Sequence, residues 1–195
     1  AGLSARFPGL PCLRSMLTAR YDACVIARDG AVRLLEEEHA ELAGLLAGLD
    51  GDALARRGTI GRGDWSAKDL AAHLGFWEEI AIEVMDAFGQ GERPAVEDRF
   101  TEPGNGDRVN AEGVERFLDT PASDVLARFE DLHRRVIPAT GSTSDDAWTA
   151  EYPFDPDDRT LGDRIGSLLG SEDGGFRHPS AHLPDLRAYV AEINR

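Results

Sequence analysis

The sequence predicts an all-α fold: a four-helix bundle with short accessory helices and a long loop between the second and third main helices. Four segments repeat apolar residues at a spacing of three to four, which is the period of an amphipathic helix. Two of these segments open with a Ser or Thr followed three residues later by Asp, the pattern of a helix-starting capping box. No segment alternates apolar and polar residues over the length of a strand. Helices that each carry one apolar stripe bury it against one another, so we expect a bundle.

The first two main helices are defined by their apolar stripes and their end signals. Residues 31–49 carry one stripe, with acidic residues on the outer side. The second helix opens at Ser66, where Asp69 completes the capping box, and Gly89 and Gly91 end it. The inward positions are Leu35, His39, Leu42, Leu46 and Leu49 in the first helix, and Leu70, His73, Leu74, Trp77, Ala81, Val84 and Phe88 in the second.

The connection after the second helix is predicted to be a long loop. Residues 89–109 are rich in Gly, Pro and acidic residues, and a connection of this length is longer than most in compact domains. Such loops are often functional or mobile, so this one is a candidate lid. Residues 110–118 are predicted to form a short helix after it.

The remaining two main helices have weaker boundaries. Thr120 caps the third helix, and Pro138 and Gly141 are expected to end it. A capping box at Thr160 opens the fourth helix, which Pro179 and Pro184 interrupt, so we expect it to be kinked or restarted. The inward positions are Val125, Phe129, Leu132 and Val136 in the third helix, and Ile165, Leu168, Leu169, His178, His182, Leu186, Val190 and Ile193 in the fourth.

The length, charge and composition of the chain restrict what kind of protein it is and which partners it can bind. The chain has 195 residues and a formal charge of −15, which argues against binding to nucleic acid and to anionic membranes. Its organisation is predicted as an N-terminal extension, partly ordered, over residues 1–30, and one helical domain over residues 31–195. The extension lacks the apolar core of a secretion signal, and no apolar run approaches a membrane span, so we expect a cytoplasmic protein. Cys12 and Cys24 lie in the extension and are interpreted as free thiols.

Three histidines are the candidate metal ligands. His178 and His182 stand four residues apart, the spacing that projects two imidazoles from one helix face, and His73 lies in the middle of an apolar helical stripe. Each histidine taken singly is better explained as a hydrogen-bonded core residue. Three imidazoles with open solvent positions, however, match a catalytic divalent metal site. Zinc is the first choice, because it needs no redox partner, and nickel or iron is the alternative.

Other polar residues on these helices have simpler interpretations. His39 reaches the apolar stripe of the first helix and is assigned a structural role, although it is also a candidate for lining a pocket. Trp77 is a core residue or a pocket wall. His133 is expected to be partly exposed. Glu78 and Glu79 are assigned to a solvated face, where either could act as a base only if the helix turned it toward the site.

The sequence resembles the DinB/YfiT-like superfamily of metalloenzymes, and within it the branch of mycothiol-dependent maleylpyruvate isomerases. The resemblance is carried by WSAKDLAAHLGFWEE around His73, by RHPSAHLPDLRAYV around His178 and His182, and by RVNAEGVERF between them. It covers residues 31–195. The prolines at positions 179 and 184 depart from the family pattern in the helix that carries two of the histidines.

This resemblance implies a ligand set and an activity. His73, His178 and His182 would hold the metal ion, and the protein would be an enzyme, a transferase or isomerase that uses a low-molecular-weight thiol such as mycothiol. Its partners would be that thiol and an electrophilic small molecule, bound in a pocket near the three histidines, and the sequence leaves a homodimer open. The alternative is a self-resistance protein that sequesters or hydrolyses a reactive small molecule without a required metal. A purely structural helical protein would instead bury the histidines in a dry core.

Overall fold

The computed structural model describes residues 26–60, 65–100, 105–155 and 159–195. Residues 1–25, with Cys12 and Cys24, therefore lie outside the described part of the chain. The predicted all-α class is confirmed, since the described residues form helices joined by turns and pair elsewhere only in isolated bridges. The helices are α1 Arg28–Ala47, α2 Gly51–Ala55, α3 Ala67–Gln90, α4 Asn105–Glu115, α5 Ala122–Ser142, α6 Asp145–Thr149, α7 Leu161–Leu168 and α8 Leu183–Ile193, with 3-10 helices at Ala95–Phe100 and Pro179–Ala181.

Helix α3 forms the centre of the bundle. It is buried along almost its whole length, packs most extensively on α5, and also contacts α2, α4 and α7. Helix α1 packs against α5 and α8, so α7 and α8 together take the place of the fourth main helix. Among the described residues, no helix combines the length and apolar character that crossing a membrane requires.

The predicted capping boxes position α3 and α7. Ser66 Oγ accepts the backbone N–H of Asp69 at 3.1 Å, and the Asp69 carboxylate accepts the N–H of Ser66 at 3.0 Å. Thr160 and Asp163 repeat the arrangement at the start of α7. Each box satisfies backbone donors that the first helical turn leaves without partners. At the other end of α3, Gly91 adopts the left-handed conformation with φ 73° and caps the last carbonyls, as its position after the stripe predicts.

The third helix ends next to Gly141, as predicted, but the prediction that Pro138 helps to end it is wrong. Helix α5 continues through Pro138 to Ser142. Proline removes one backbone hydrogen bond, but Val136 and Thr140 on the same face are fully buried, and the Thr140 hydroxyl contacts Met85 Sδ at 3.9 Å. Tertiary packing of the last turn therefore outweighs the local cost of the proline.

The connection predicted as a loop is partly helical. It contains the Ala95–Phe100 3-10 helix and the start of α4, and Glu97 within it is buried. Both Glu97 oxygens accept hydrogen bonds from the Arg164 guanidinium at 2.9 Å, and the Tyr152 hydroxyl donates to the same carboxylate. Burial and this carboxylate raise the pKa of Tyr152 above its ordinary value, so the phenol stays protonated and remains a donor. The network ties the connection to α7.

The fourth main helix is restarted, as the prolines predict. After α7 the chain folds back in a turn that buries Phe176, a residue with the unusual positive φ of 63°, against Trp148 at 5.9 Å between ring centroids. The Pro179–Ala181 3-10 helix and α8 follow. Helix α8 buries Leu183, Leu186 and Tyr189, whereas the predicted inward residues Val190 and Ile193 are only partly buried.

Two glycines with opposite surroundings test this packing. A Cβ on Gly162 would lie 2.5 Å from Nε1 of the buried Trp148, which donates to the Ile26 carbonyl, whereas a Cβ on Gly44 of α1 would meet nothing within 4 Å. We expect Gly162→Ala to lower the free energy of unfolding by about 1–3 kcal/mol through overpacking. Gly44→Ala should raise it by roughly 0.5–1 kcal/mol, because alanine is the better helix former. Urea unfolding of both variants measures this, and a stabilised Gly162→Ala variant would contradict the described packing.

Candidate metal centre

The structure brings the three predicted histidines together. Nε2 of His73 lies 3.0 Å from Nε2 of His178. The ring centroid of His182 lies 5.3 Å from that of His73 and 5.6 Å from that of His178. One ligand atom from each residue lies within 4.8 Å of the other two. These residues are called the three-histidine site below.

His73 reaches the site from the middle of α3, where it is 2% exposed. Its ring is flanked by Trp65, at 4.8 Å between centroids, and meets the edge of Trp77 at 6.5 Å. Trp77 in turn donates from its indole nitrogen to Asn110 of α4 at 3.0 Å. Both tryptophans therefore pack beside the His73 ring.

His178 and His182 reach the site from the ends of the 3-10 helix, not from one α-helix. The backbone N–H of His178 donates to the Leu169 carbonyl at 3.0 Å, and His182 donates to the Pro179 carbonyl at 2.8 Å. Pro179 and Pro184 occupy the first turns of the 3-10 helix and of α8, where a missing backbone donor costs nothing. Each proline thus marks a helix start, and one histidine precedes each start: His178 before the 3-10 helix and His182 before α8.

A salt-bridged carboxylate on α1 holds this segment in place. Glu38 is 9% exposed and accepts from Arg177 at 3.1 Å and from the Ser180 hydroxyl at 2.6 Å. Its contacts flank His178 in the sequence on both sides. Helix α1 therefore fixes the position of a histidine that lies 140 residues later in the chain.

Burial keeps all three imidazoles neutral. It lowers the pKa of His178 to about 3 and the pKa of His73 well below its usual range, with a further lowering from the neighbouring histidines. Burial also lowers the pKa of His182, although the Asp185 carboxylate opposes the shift. Neutral imidazoles offer nitrogen lone pairs, the form in which histidine binds metals.

The residues present fit a divalent transition-metal ion. Imidazole nitrogens bind zinc at about 2.0–2.1 Å, so two nitrogens on one ion are themselves roughly 3 Å apart. The two Nε2 atoms of His73 and His178 have this separation. His182 completes a set of three nitrogen donors, the number that catalytic zinc sites draw from the protein.

A second buried cluster, here called the His–Glu–His cluster, consists of His39, Glu78 and His133. Nδ1 of His133 lies 2.9 Å from Oε1 of Glu78, and the His39 and His133 rings stack with centroids 3.5 Å apart and planes within 5°. The expectations of a solvated Glu78 and a partly exposed His133 are wrong, since the two residues are 7% and 8% exposed. The sequence contained a signal for the burial of His133, because this residue follows Phe129 by four positions and so lies on the helix stripe that faces α3.

Burial also sets the protonation of this cluster. It raises the pKa of Glu78 to about 8, while it lowers the pKa of His133 and, together with its neighbour His133, the pKa of His39. His39 is held from outside by the half-exposed Glu130, 3.2 Å from its Nε2. At neutral pH the cluster therefore holds a proton that a free glutamate would have lost.

A small cavity of about 20 Å³ separates the two groups of residues. Its walls include His39 and Glu78 from the cluster and His178 from the three-histidine site. His39 lines this cavity, whereas Trp77 contacts the histidines without contributing to it. The volume holds about one water molecule, so this cavity is not the expected pocket for a thiol and an electrophile.

The fold is similar to two solved structures. An uncharacterised protein from Escherichia coli UTI89 superposes with a TM-score of 0.70 at 12% identity, over 87% of this chain and 95% of that one. The colibactin self-resistance protein ClbS, in complex with double-stranded DNA, superposes with a TM-score of 0.62 at 15% identity, over 87% of this chain and 94% of that one. No match was found among curated proteins.

The ClbS complex corrects the expectation that nucleic acid is excluded as a partner. A protein of this fold is seen with double-stranded DNA, so the overall charge of this chain is not a sufficient ground for the exclusion. The physical reason is that net charge sums the whole surface, whereas binding depends on the local potential where the partner docks.

The family itself is shown by a match along most of the chain. The sequence model of the DinB superfamily matches residues 30–170, which include most of α1, all of α3 and α5, and the ligand candidate His73. His178 and His182 lie beyond the matched range, and the structure alone brings them to His73. The helical fold, the structural neighbours and this match agree, and the chain belongs to the DinB superfamily.

Proposed function

We propose that the three-histidine site binds one divalent metal ion, zinc in the first place, and that the protein is a metal-dependent enzyme. The observation that carries the proposal is the convergence of three neutral imidazoles from two distant segments, with two Nε2 atoms 3.0 Å apart; His73 is buried, and His178 and His182 are partly buried. Burying three imidazoles in this way costs solvation, which binding of an ion offsets.

The activity we propose is S-transfer or isomerisation with a low-molecular-weight thiol, as in the mycothiol-dependent maleylpyruvate isomerases that the sequence resembles. The ion, when bound, would lower the pKa of the thiol so that the thiolate predominates. The chain's own residues would orient the reactants. Trp65 and His182 are partly exposed, and this side of the site is where a thiol could reach the ion, while the cavity behind His178 is too small.

A second candidate is self-resistance, in which the protein sequesters or hydrolyses a reactive small molecule without a required metal. The similarity to ClbS, a colibactin self-resistance protein, favours it. The two candidates differ in what they require: the first needs the ion and a thiol for turnover, and the second needs neither.

Metal content tests the site. Protein purified without chelator or nickel resin should contain about one divalent ion per chain by mass spectrometry, and His73→Asn should lose it, because one of three ligands is gone. His133→Asn, a buried histidine on the neighbouring helix, is the matched control and should keep the ion at saturating zinc. Wild-type protein that takes up no divalent ion under these conditions would overturn the proposed site.

Turnover separates the two candidates. We expect the zinc-loaded protein to convert maleylpyruvate, or a panel of small electrophiles, only when mycothiol is present, and His73→Asn to reduce the rate at least about 100-fold, as loss of metal activation of the nucleophile implies. The assay follows product by chromatography, with duplex DNA binding measured in parallel by fluorescence anisotropy. Stoichiometric capture of an electrophile, unaffected by His73→Asn, would instead support self-resistance.

The buried ionisable groups predict that the free energy of unfolding of the metal-free protein has a maximum as a function of pH. An unfolded histidine takes up a proton as the pH falls through 6.5, while the folded histidines stay neutral, so acid favours unfolding. Glu78 acts in the opposite sense. Its folded pKa of about 8 exceeds the unfolded value of 4.5, so the folded state holds an extra proton between these values and loses stability as the pH rises.

We therefore expect the free energy of unfolding to be greatest near pH 6.5, where the two effects meet. On the acid side each fully buried histidine contributes up to about 1.4 kcal/mol per pH unit. Glu78→Gln should abolish the fall on the alkaline side and keep the fall on the acid side. Urea unfolding across the pH range measures both slopes, and a flat acid side would contradict burial of neutral histidines.

A further inference from the structure

We propose that Arg164 is a positioning residue for the three-histidine site, because by way of Phe100 it holds Trp77 against two of the histidine rings. The inference rests on the proposed function, since it concerns the outer support of the metal ligands. It goes beyond that function in assigning a role to a residue of α7 outside the ligand set.

Trp77 is the side chain that two of the ligand candidates share. Its ring centroid lies 6.5 Å from that of His73 and 6.0 Å from that of His178, with the ring planes inclined at 78° and 69°. Both contacts are edge-to-face, an arrangement that aromatic rings favour. The contact with His73 joins residues one turn apart in α3, whereas the contact with His178 joins α3 to the segment before α8. A shift of Trp77 would therefore change the position of one ligand ring relative to the other.

The outer side of Trp77 is supported by α4 and by the 3-10 helix that precedes it. The indole nitrogen donates to Oδ1 of Asn110 at 3.0 Å. The indole ring stacks on the ring of Phe100, with centroids 6.0 Å apart and planes inclined at 26°. The hydrogen bond thus fixes one end of the indole, and the stacking contact supports its face.

Arg164 of α7 holds Phe100 in turn. Its Cζ atom lies 4.8 Å from the centroid of the Phe100 ring, within the range of a cation–π contact. Nε and Nη2 of the same guanidinium donate to the two oxygens of Glu97 at 2.9 Å each. Glu97 and Phe100 belong to the same 3-10 helix, so one arginine binds this helix at two points. The contacts therefore continue without a break from Arg164 through Phe100 and Trp77 to the histidines.

The chemistry of this buried ion pair supports a role beyond stability. The side chains of Arg164 and Glu97 are 8% and 5% exposed. Desolvation of two charges offsets much of their attraction, and an apolar pair of similar volume is often as stable. An apolar pair, however, does not supply a planar cation that binds a carboxylate through its N–H groups and also packs on an aromatic ring. Lysine would keep the charge and lose the planar group.

Trp65, the other tryptophan beside His73, has a different support. Its ring centroid lies 4.8 Å from that of His73 and 6.0 Å from that of His182. Its backbone exchanges two hydrogen bonds of 3.1 Å with Ile60, immediately before the start of α3. The position of Trp65 is therefore set locally, and we expect it to be independent of Arg164. Trp65 serves as an internal reference in the same protein.

¹⁹F NMR spectra of metal-free protein labelled with 5-fluorotryptophan test the contacts directly. The chain has three tryptophans, so we expect three resonances, and Trp77→Phe identifies the one that belongs to Trp77. Arg164→Lys should shift or broaden the Trp77 resonance and leave that of Trp65 in place. Phe100→Leu should act in the same way, whereas Phe100→Tyr, which keeps the ring, should retain the wild-type spectrum. A Trp77 resonance that does not change in Arg164→Lys would overturn the proposal.

Tyr152→Phe is the matched control for the buried network. It removes the hydroxyl that donates to Glu97 but leaves Arg164 over the ring of Phe100. We expect this variant to be less stable in urea unfolding and to keep the wild-type Trp77 resonance. A change of that resonance as large as in Arg164→Lys would assign the effect to general loosening of the network and overturn the specific role of Arg164.

Zinc affinity measures the consequence for the three-histidine site. Loss of groups that orient metal ligands weakens metal binding by about 10–100-fold, and we expect a loss in this range for Arg164→Lys and Phe100→Leu. Phe100→Tyr and Tyr152→Phe should keep the wild-type affinity. Competition with a chromophoric chelator measures the affinity, after circular dichroism has shown that each variant is folded.

The two readouts separate this proposal from the proposed function. A wild type that binds no zinc, with a Trp77 resonance that still depends on Arg164, would overturn the metal site alone. A wild type that binds zinc no more tightly than Arg164→Lys would overturn the role of Arg164 alone.

Discussion

Burial of the first three turns of helix α3 on every side, over residues 67–78, is the constraint on which the rest of the structure depends. Four polar side chains lie on this helix where water cannot reach them, and each must find a partner within the protein. They draw those partners from different elements: Lys68 from carbonyls after α4, Asp69 from its own capping box, His73 from the segment before α8, and Glu78 from α5. Satisfying one central helix thus fixes the positions of the elements around it.

The site follows from that constraint together with an unusual turn. His178 can meet His73 only because the chain reverses after α7, with Phe176 at positive φ, which is unfavourable for a residue with a large side chain. Burial of the Phe176 ring and the backbone bond from His178 to Leu169 offset this strain. The two prolines then start new helical turns without a lost donor. The strained backbone at Phe176 is thus next to the residues whose packing and hydrogen bonds stabilise it, as is common where backbone strain accompanies a functional site.

The two buried groups of ionisable residues form one continuous arrangement. The three-histidine site and the His–Glu–His cluster share the walls of one water-sized cavity. Burial lowers the pKa of His178 in the first group and raises the pKa of Glu78 in the second, so both side chains are neutral. Pairs of groups whose environments push their pKa values in opposite directions are typical of functional sites. The cluster draws its three residues from α1, α3 and α5, whereas His178 reaches the shared cavity from the segment before α8.

The sequence by itself determined the helical class, the start and end of α3, the start of α7 and the restart before α8, because helical periodicity, capping residues and proline act within a few neighbouring residues. It also singled out His73, His178 and His182, since their spacing and apolar surroundings are visible along the chain. Only the tertiary structure decided that α5 passes through Pro138 and that Glu78 and His133 are buried. It also decided that Glu38 and Leu169 hold the segment that carries His178 in place. Those outcomes depend on residues that are far apart in sequence, and burial by a distant helix outweighs the preference of any single residue.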